Sequence, residues 1–425
     1  MIRRIGRRLR RLAGAPLVPL RPVARELLLS TRGVLRILAT LLAAAKGIPK
    51  NGRIRVGVDV RPFYEPLTGV GWYLFFLLEE LAKLEDLDLV YFGHPVLAEG
   101  SPPLTVPLPG SRPIVAFDLI GLPVGRLAGA TARAAYPALV WLRRCDVFFA
   151  ANYFLPRSTS AAAVNRVCTV HDLTWRRYPE LLQQETLANL EREMLRELTR
   201  SSAVICVSEA TRRDLVELYP VEPGKVHAVL SGPPPSRPSA DLRLELPSRY
   251  ILFVSTIEPR KNLDVLIEAF ERLKDKGWSG DLVIAGKTGW KSEPTLRRMA
   301  KSRWRDSIRR LDYVDRDQLP WLYRQADAFV LPSRYEGFGF PILEAMAEKT
   351  PVIAARNSSL PEVGGDAALY FDADDAGELA RLLSIVLEDP DERARLVDRG
   401  EANLARFSWV RAAAETANVF RKVAR

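Results

Sequence analysis

Polar and apolar positions change period along the chain in a regular way. RIRVGVDV (53–60), DLVYFGH, DVFFAAN, RVCTVHD and AVICVS are short runs rich in β-branched and aromatic residues, bounded by turn residues. Between them apolar positions recur at helical spacing: from Trp72 to Leu84, over 184–199 and over 208–218. The alternation starts afresh at YILFVS (250–255). A helix from about Leu263 follows, then DLVIAGK, the strand RRLDYV, a helix near 317–326, AFVLPS, a helix from Pro341, PVIAA and ALYFD. The C-terminal stretch reads as helix and ends in FSWVRAAAETANVFRKV. Short strands alternating with amphipathic helices predict an α/β fold with mostly parallel sheets covered on both faces.

Between the two series lies SGPPPSRPSADLRLELPSR (231–249). Its prolines at 233, 234, 235 and 238 exclude regular structure and mark a connector. A length of 425 residues is too great for one ordinary core. The expected organisation has five parts: a basic extension over 1–52, a Rossmann-like domain over 53–235, a linker over 236–249, a second Rossmann-like domain over 250–408, and a helix over 409–425 crossing back to the first domain. Two doubly wound domains joined in this way face each other across a central cleft, at the carboxyl ends of their sheets.

Charge changes the picture at one end only. Residues 1–55 hold 14 Lys or Arg and a single acid, Glu26; the rest hold 48 basic and 50 acidic residues. The basic character belongs to the leader, and the near-neutral body gives no reason to expect nucleic acid. Arg25, Arg32 and Arg36 interrupt the leader's apolar stretches, so no run reaches the roughly 18 residues of a membrane span. It is not a clean secretory signal either. From Val23 to Lys46, leucines and valines recur at helical spacing with arginines between, as in a helix lying on an anionic membrane. A disordered extension is the competing reading. Cys145, Cys168 and Cys206 form no C-x-x-C pair and read as buried thiols, and three dispersed histidines cannot build a His-rich metal site.

Candidate chemistry concentrates in EGFGFPILEAM (336–346). Pro341 suits the first position of a helix, and Gly337 and Gly339 let backbone come close to a ligand. Amides near Gly339 to Leu343 would then point at an anion such as a diphosphate. Glu344 is either a first-turn acid stabilised by the helix dipole or a buried carboxylate that accepts hydroxyl protons, as from a ribose. Arg260 and Lys261, in EPRKN, follow a strand; they read as a solvated basic turn or as cations placed for a departing diphosphate. TGVGWY, with Gly69 and Gly71, is a tight turn or a ligand loop. His171 ends the strand RVCTV and is either structural or a cleft residue.

These segments, in this order, resemble the retaining nucleotide-sugar glycosyltransferases of family 4. EGFGFPILEAM is similar to their E-x7-E signature, and TPVIAARNSSLPEVGGDAALYFD, VSTIEPRKNLDVLIEAF, LVIAGKTGW and LDYVDRDQLPWLYRQADAFVLPSRYEGFGFP resemble the rest of their C-terminal domain. DVRPFYEPLTGVGWY, TVHDLTWRRYPE and CVSEATRRDL resemble the N-terminal domain more loosely, so the likeness spans about 54–420 and leaves out the leader. The resemblance implies the GT-B fold. It also implies roles. Glu336 would contact the transferred sugar, and Glu344 the ribose hydroxyls. The loop of Gly337, Phe338, Gly339 and Phe340 would hold the diphosphate and sugar. Arg260 and Lys261 would face the phosphates, His171 the donor sugar, and Gly69 and Gly71 the phosphates and acceptor. Tyr313 and Val314 would meet the nucleobase, with Gly286 and Lys287 on the same rim. No metal and no cofactor is implied. Among such enzymes the likeness leans to bacterial mannosyltransferases of surface polysaccharide assembly, hence GDP-mannose as donor with a UDP-sugar next, and a glycan or lipid-linked acceptor. The basic leader would then hold the enzyme at the inner face of the plasma membrane. Two alternatives stay open: an epimerase or hydrolase of nucleotide sugars on the same fold, and a membrane-bound binding protein without catalysis.

Overall fold

The computed structural model describes residues 52–64, 67, 69–93, 104, 107–109, 114–115, 140–155, 164–182, 184–235 and 245–425. The leader over 1–50, with its expected membrane-facing helix, lies outside the described residues, as does the connector over 236–244.

The described strands form two parallel sheets. The first contains β1 (Ile54–Asp59), β2 (Leu87–Phe92), β3 (Ile114–Val115), β4 (Val147–Ala150), β5 (Asn165–Val170), β6 (Ala203–Cys206) and β7 (Val226–Ala228), in the order β3-β2-β1-β4-β5-β6-β7. The second contains β8 (Tyr250–Val254), β9 (Asp281–Ala285), β10 (Ile308–Arg310), β11 (Ala328–Leu331), β12 (Val352–Ala355) and β13 (Ala368–Phe371), in the order β10-β9-β8-β11-β12-β13. Strands such as β8 and β11 are continuous apolar runs because helices cover both faces. In each sheet the order reverses beside the first strand: between β1 and β4, and between β8 and β11. Loops leaving the carboxyl ends of those strands diverge there and open a crevice.

The first domain's helices are α1 (Gly69–Leu81), α2 (Thr174–Arg177), α3 (Gln184–Arg200) and α4 (Glu209–Leu218). The second has α5 (Leu263–Asp275), α6 (Glu293–Lys301), α7 (Leu319–Gln325), α8 (Phe340–Ala347), α9 (Leu360–Gly364), α10 (Ala376–Glu388) and α11 (Pro390–Leu404). The last helix, α12 (Trp409–Ala424), belongs to the second domain by sequence but packs on the first. Its buried Phe420 meets Phe149 of β4 edge-on at 5.3 Å, and Arg421 pairs with Asp86 at 2.7 Å. The described end of the connector passes close by. Trp409 Nε1 donates to Pro233 O at 2.9 Å, and a Cβ on Gly232 would fall 2.5 Å from the Trp409 ring.

Three local expectations change. Helix α1 begins at Gly69 rather than Trp72, so both glycines of TGVGWY lie in its first turn instead of a loop. Pro341 is the second residue of α8, because Phe340 already has helical backbone behind the cap Gly339. Of RRLDYV only the first two residues join a strand, β10; Tyr313 and Val314 follow in the loop beyond it. The short edge strands β3 and β7 have two and three residues, too few to leave a periodic signal.

Candidate active site

The crevice of the second sheet is where the chemistry collects. The loop after β8 carries Arg260 and Lys261, and the loop after β11 carries Glu336. These strands are neighbours at the reversal point, so two segments 75 residues apart meet. Lys261 Nζ donates to Glu336 Oε1 at 2.5 Å, and Arg260 Nη1 to Glu336 Oε2 at 3.0 Å. Arg260 also donates to Tyr335 O at 2.8 Å, and its Nη2 pairs with Glu258 at 2.8 Å. The Glu336 side chain is only 12% exposed. Burial by itself would raise its pKa; the charges of Lys261 and Arg260 outweigh that and hold it at about 2. Burial pulls the Lys261 ammonium down, and the contact with ionised Glu336 keeps it charged.

Backbone geometry prepares the next residues for an anion. Gly339 caps α8 at φ 112°, in the left-handed region where a side chain is strained. Among the described residues no protein group accepts from the amides of Gly337, Phe338 and Gly339, while Ile342 N turns back to Gly339 O at 3.0 Å. Carbonyls of the same loop are held from behind. The Ser359 hydroxyl lies 2.9 Å from Glu336 O and 2.7 Å from Phe338 O, and Glu336 N donates to Ser358 Oγ at 3.0 Å. Amides without a protein acceptor, beside carbonyls held by serine hydroxyls at the start of a helix, can receive an anion.

Glu344 sits one turn into α8. Tyr323 Oη donates to its Oε2 at 2.9 Å, and Arg316 lies 3.8 Å from its Oε1. Burial raises the Glu344 pKa, and Arg316 and Tyr323 pull against that rise. The carboxylate borders a pocket lined by Pro234, Pro235, Asp317 and Pro320, at the described end of the connector. Arg316 reaches across the cleft as well, with its guanidinium 4.5 Å from the Trp72 ring of α1.

From the first domain, His171 follows β5, and its backbone carbonyl lies against the same loop at Gly337. Its Nε2 lies 2.7 Å from Ala151 O; a carbonyl only accepts, so Nε2 carries the proton and Nδ1 is left as an acceptor. Tyr73 and Tyr153 pack edge-on against the ring, at 5.0 and 5.8 Å. Burial lowers its pKa, which keeps the imidazole neutral. A Cβ on Gly337 would fall 1.6 Å from His171 O. Gly337 is thus glycine because the two domains touch there. Asp172 turns the loop by accepting from Thr174 N at 3.0 Å.

The remaining nominated residues are placed as follows. Gly286 directly follows β9, and its Cα leaves no room for a side chain, since a Cβ would meet Ser255 O at 1.8 Å. Lys287 lies over the exposed Tyr313 ring at 4.3 Å, while Val314 is buried. Phe340 stacks on Trp409 at 6.2 Å, and Phe338 is buried beside it at 4.9 Å. Gly69 has open space beside it, whereas Gly71 packs on Leu67. Sequence reading did not nominate Ser358, Ser359, Tyr323 or Glu258. The first two sit in RNSSLPE, whose serines could be singled out only once their partners' positions were known.

Two Rossmann-like domains closed over a cleft, with an acid–cation cluster on one rim and a histidine on the other, define a GT-B glycosyltransferase. The model of "Glycosyltransferase Family 4" matches residues 67–237 and that of "Glycosyl transferases group 1" matches 239–403. The chain belongs to the family 4 glycosyltransferases. It is 28% identical over 375 residues to O-antigen chain mannosyltransferase B of Escherichia coli, covering 85% of this chain and 97% of that one. It is 29% identical to the MMP alpha-(1->4)-mannosyltransferase of Mycolicibacterium hassiacum, over 58% of this chain and 60% of that one. Sucrose-phosphate synthase of Thermosynechococcus elongatus shares the fold with TM-score 0.66 at 20% identity, over 87% and 99% of the two chains. HepE of Anabaena, solved with UDP-glucose, does so with TM-score 0.61 at 15% identity, over 87% and 100%.

Proposed function

We propose that this glycosyltransferase moves a mannosyl group, with retention of configuration, from GDP-mannose to a glycan or lipid-linked saccharide, with no metal ion. A UDP-sugar is the second candidate donor. The observation that carries this reading is the Lys261–Glu336–Arg260 cluster, set against the amides of Gly337 to Gly339. The amides and the two cations would take the diphosphate, the role a metal plays elsewhere, and stabilise the charge it gains as the bond breaks. Glu344, bordering the adjoining pocket, would accept the ribose hydroxyls. The Nδ1 of His171 would accept from a sugar hydroxyl. Mannose is favoured because relatives over most of the chain bear mannosyltransferase names.

Retention without a covalent intermediate fits the electrostatics. A carboxylate shared by two cations, with its pKa held at about 2, is a poor nucleophile. The acceptor hydroxyl would attack from the face the diphosphate leaves, and the leaving phosphate would take its proton. Among the described residues, no helix is long and apolar enough to cross a membrane. The basic leader would bring the enzyme to an anionic surface at the inner face of the plasma membrane. Deleting residues 1–50 should release the protein from anionic liposomes and leave its melting unchanged; retained binding would refute the anchor. A thermal-shift panel of nucleotide sugars tests the donor. GDP-mannose should raise the melting temperature most through linkage, and a larger rise with a UDP-sugar would replace it.

A further inference from the structure

The loop that carries Glu336 is gripped from the opposite domain. We infer that the first turn of α4, with its cap Ser208, is a clasp that sets the distance between His171 and Glu336, and that Ser208, Thr211 and Glu362 are positioning residues for transfer. The inference rests on the placement of Glu336 and His171 in one active site.

Four hydrogen bonds between the domains carry it. The Ser208 hydroxyl donates to Gly337 O at 2.6 Å, and the Thr211 hydroxyl to the same carbonyl at 3.1 Å. Ser208 is also the cap of α4, accepting from Thr211 N at 3.0 Å. The next two amides of the turn, Glu209 N and Ala210 N, donate to the two oxygens of Glu362, at 2.8 and 2.9 Å. Glu362 lies in α9, in the second domain. A carboxylate at a helix N-terminus meets both the unpaired amides and the positive end of the dipole. Two first-turn amides of a first-domain helix are therefore satisfied by the second domain. Ser208 and Thr211 are shielded from solvent, and their hydroxyls, 3.0 Å from each other, both converge on the Gly337 carbonyl.

The location gives the clasp a functional sense. Gly337 directly follows Glu336, and its Cα rests on His171 O. Holding the Gly337 carbonyl fixes the carboxylate on one side and the imidazole on the other. Ser359, which braces the same loop from behind, is three residues from Glu362. If the clasp opens, Glu336 keeps Lys261 and Arg260, because all three lie on the second domain. Donor binding through the second domain should therefore survive, while the gap to His171 widens.

The test uses the full-length protein with Thr211→Val, Glu362→Gln, the double variant, and Thr211→Ser as the conservative control. Each of the first two should lower kcat with GDP-mannose about tenfold, the scale of one lost hydrogen bond to a buried partner. The dissociation constant for GDP by calorimetry should stay within about twofold, given that the cations on the second domain are untouched. Small-angle scattering should show a larger radius of gyration for the double variant, and Thr211→Ser should restore both readouts. An unchanged radius in the double variant would overturn the clasp; so would Thr211→Ser as damaging as Thr211→Val. Scattering needs no donor, so an enzyme inactive with GDP-mannose that still opens supports the clasp and counts only against the donor assignment. Should Thr211→Val fail to fold, Glu362→Gln, partly solvent-exposed, carries the same outcomes.

Discussion

Glu336 spends its two oxygens on two cations, and that choice governs its chemistry. The unfolded carboxyl titrates near 4.3 and the folded one at about 2, so ionisation of Glu336 favours the fold above the unfolded value, while the burial of Lys261 works against it. That contribution is lost as pH falls from about 4.3 through about 2. Lys261→Met removes one partner and leaves a buried carboxylate half compensated. Urea unfolding at pH 7 should show a loss of about 3 kcal/mol, with a shallower decline between pH 5 and 3 than in the parent. Equal stability at pH 7 would mean that Arg260 alone suffices. His171 predicts a different pH behaviour. Burial holds its pKa below the usual value, so any limb in kcat/KM that belongs to His171 should lie on the acid side of the usual imidazole range. A protonation limb near 6.5 that vanishes in His171→Asn would contradict a neutral ring.

The strand–loop–helix from β11 to α8 can be read at the scale of an element. Its apolar strand, its glycines and its proline are local features, and each leaves a local mark in the sequence. What the glycines do is less local. Gly339 needs its left-handed backbone to start α8, whereas Gly337 needs only the absence of a Cβ, because another domain occupies that space. The two should therefore fail differently. Gly339→Ala, strained by about 1–2 kcal/mol, should lower the melting temperature and weaken GDP binding together, since the amides move. A variant with normal melting and normal GDP affinity would show that the loop tolerates another backbone. The same contrast explains what could not be read in advance. The partners of Ser208 and Thr211 lie 129 and 126 positions away, and those of Glu362 more than 150. No periodicity or spacing encodes such pairings; only the closed domains bring them together.

At the scale of the whole molecule, the two Rossmann-like domains were legible because each strand and helix announces itself by period, and because prolines separate the two series. The edge strands β3 and β7 were not, being too short to show a pattern. The relation between the domains is set by residues of ordinary type. Trp409 receives the connector at Pro233, stacks on Phe340, and touches Tyr73, which packs on His171. One half-buried indole therefore joins both chain crossings to both sides of the cleft. Nothing in FSWVRAAAETANVFRKV marks that tryptophan except its place at the start of a helix.

The central claim is that the carboxylate of Glu336 acts on the sugar while the surrounding amides and cations hold the diphosphate. Glu336→Ala, assayed with the donor that the thermal-shift panel selects, separates these roles most directly. The account predicts that transfer falls by at least about a hundredfold while binding of the nucleoside diphosphate is kept or tightened, because Lys261 and Arg260 are released to the phosphates. Normal turnover by Glu336→Ala would contradict it.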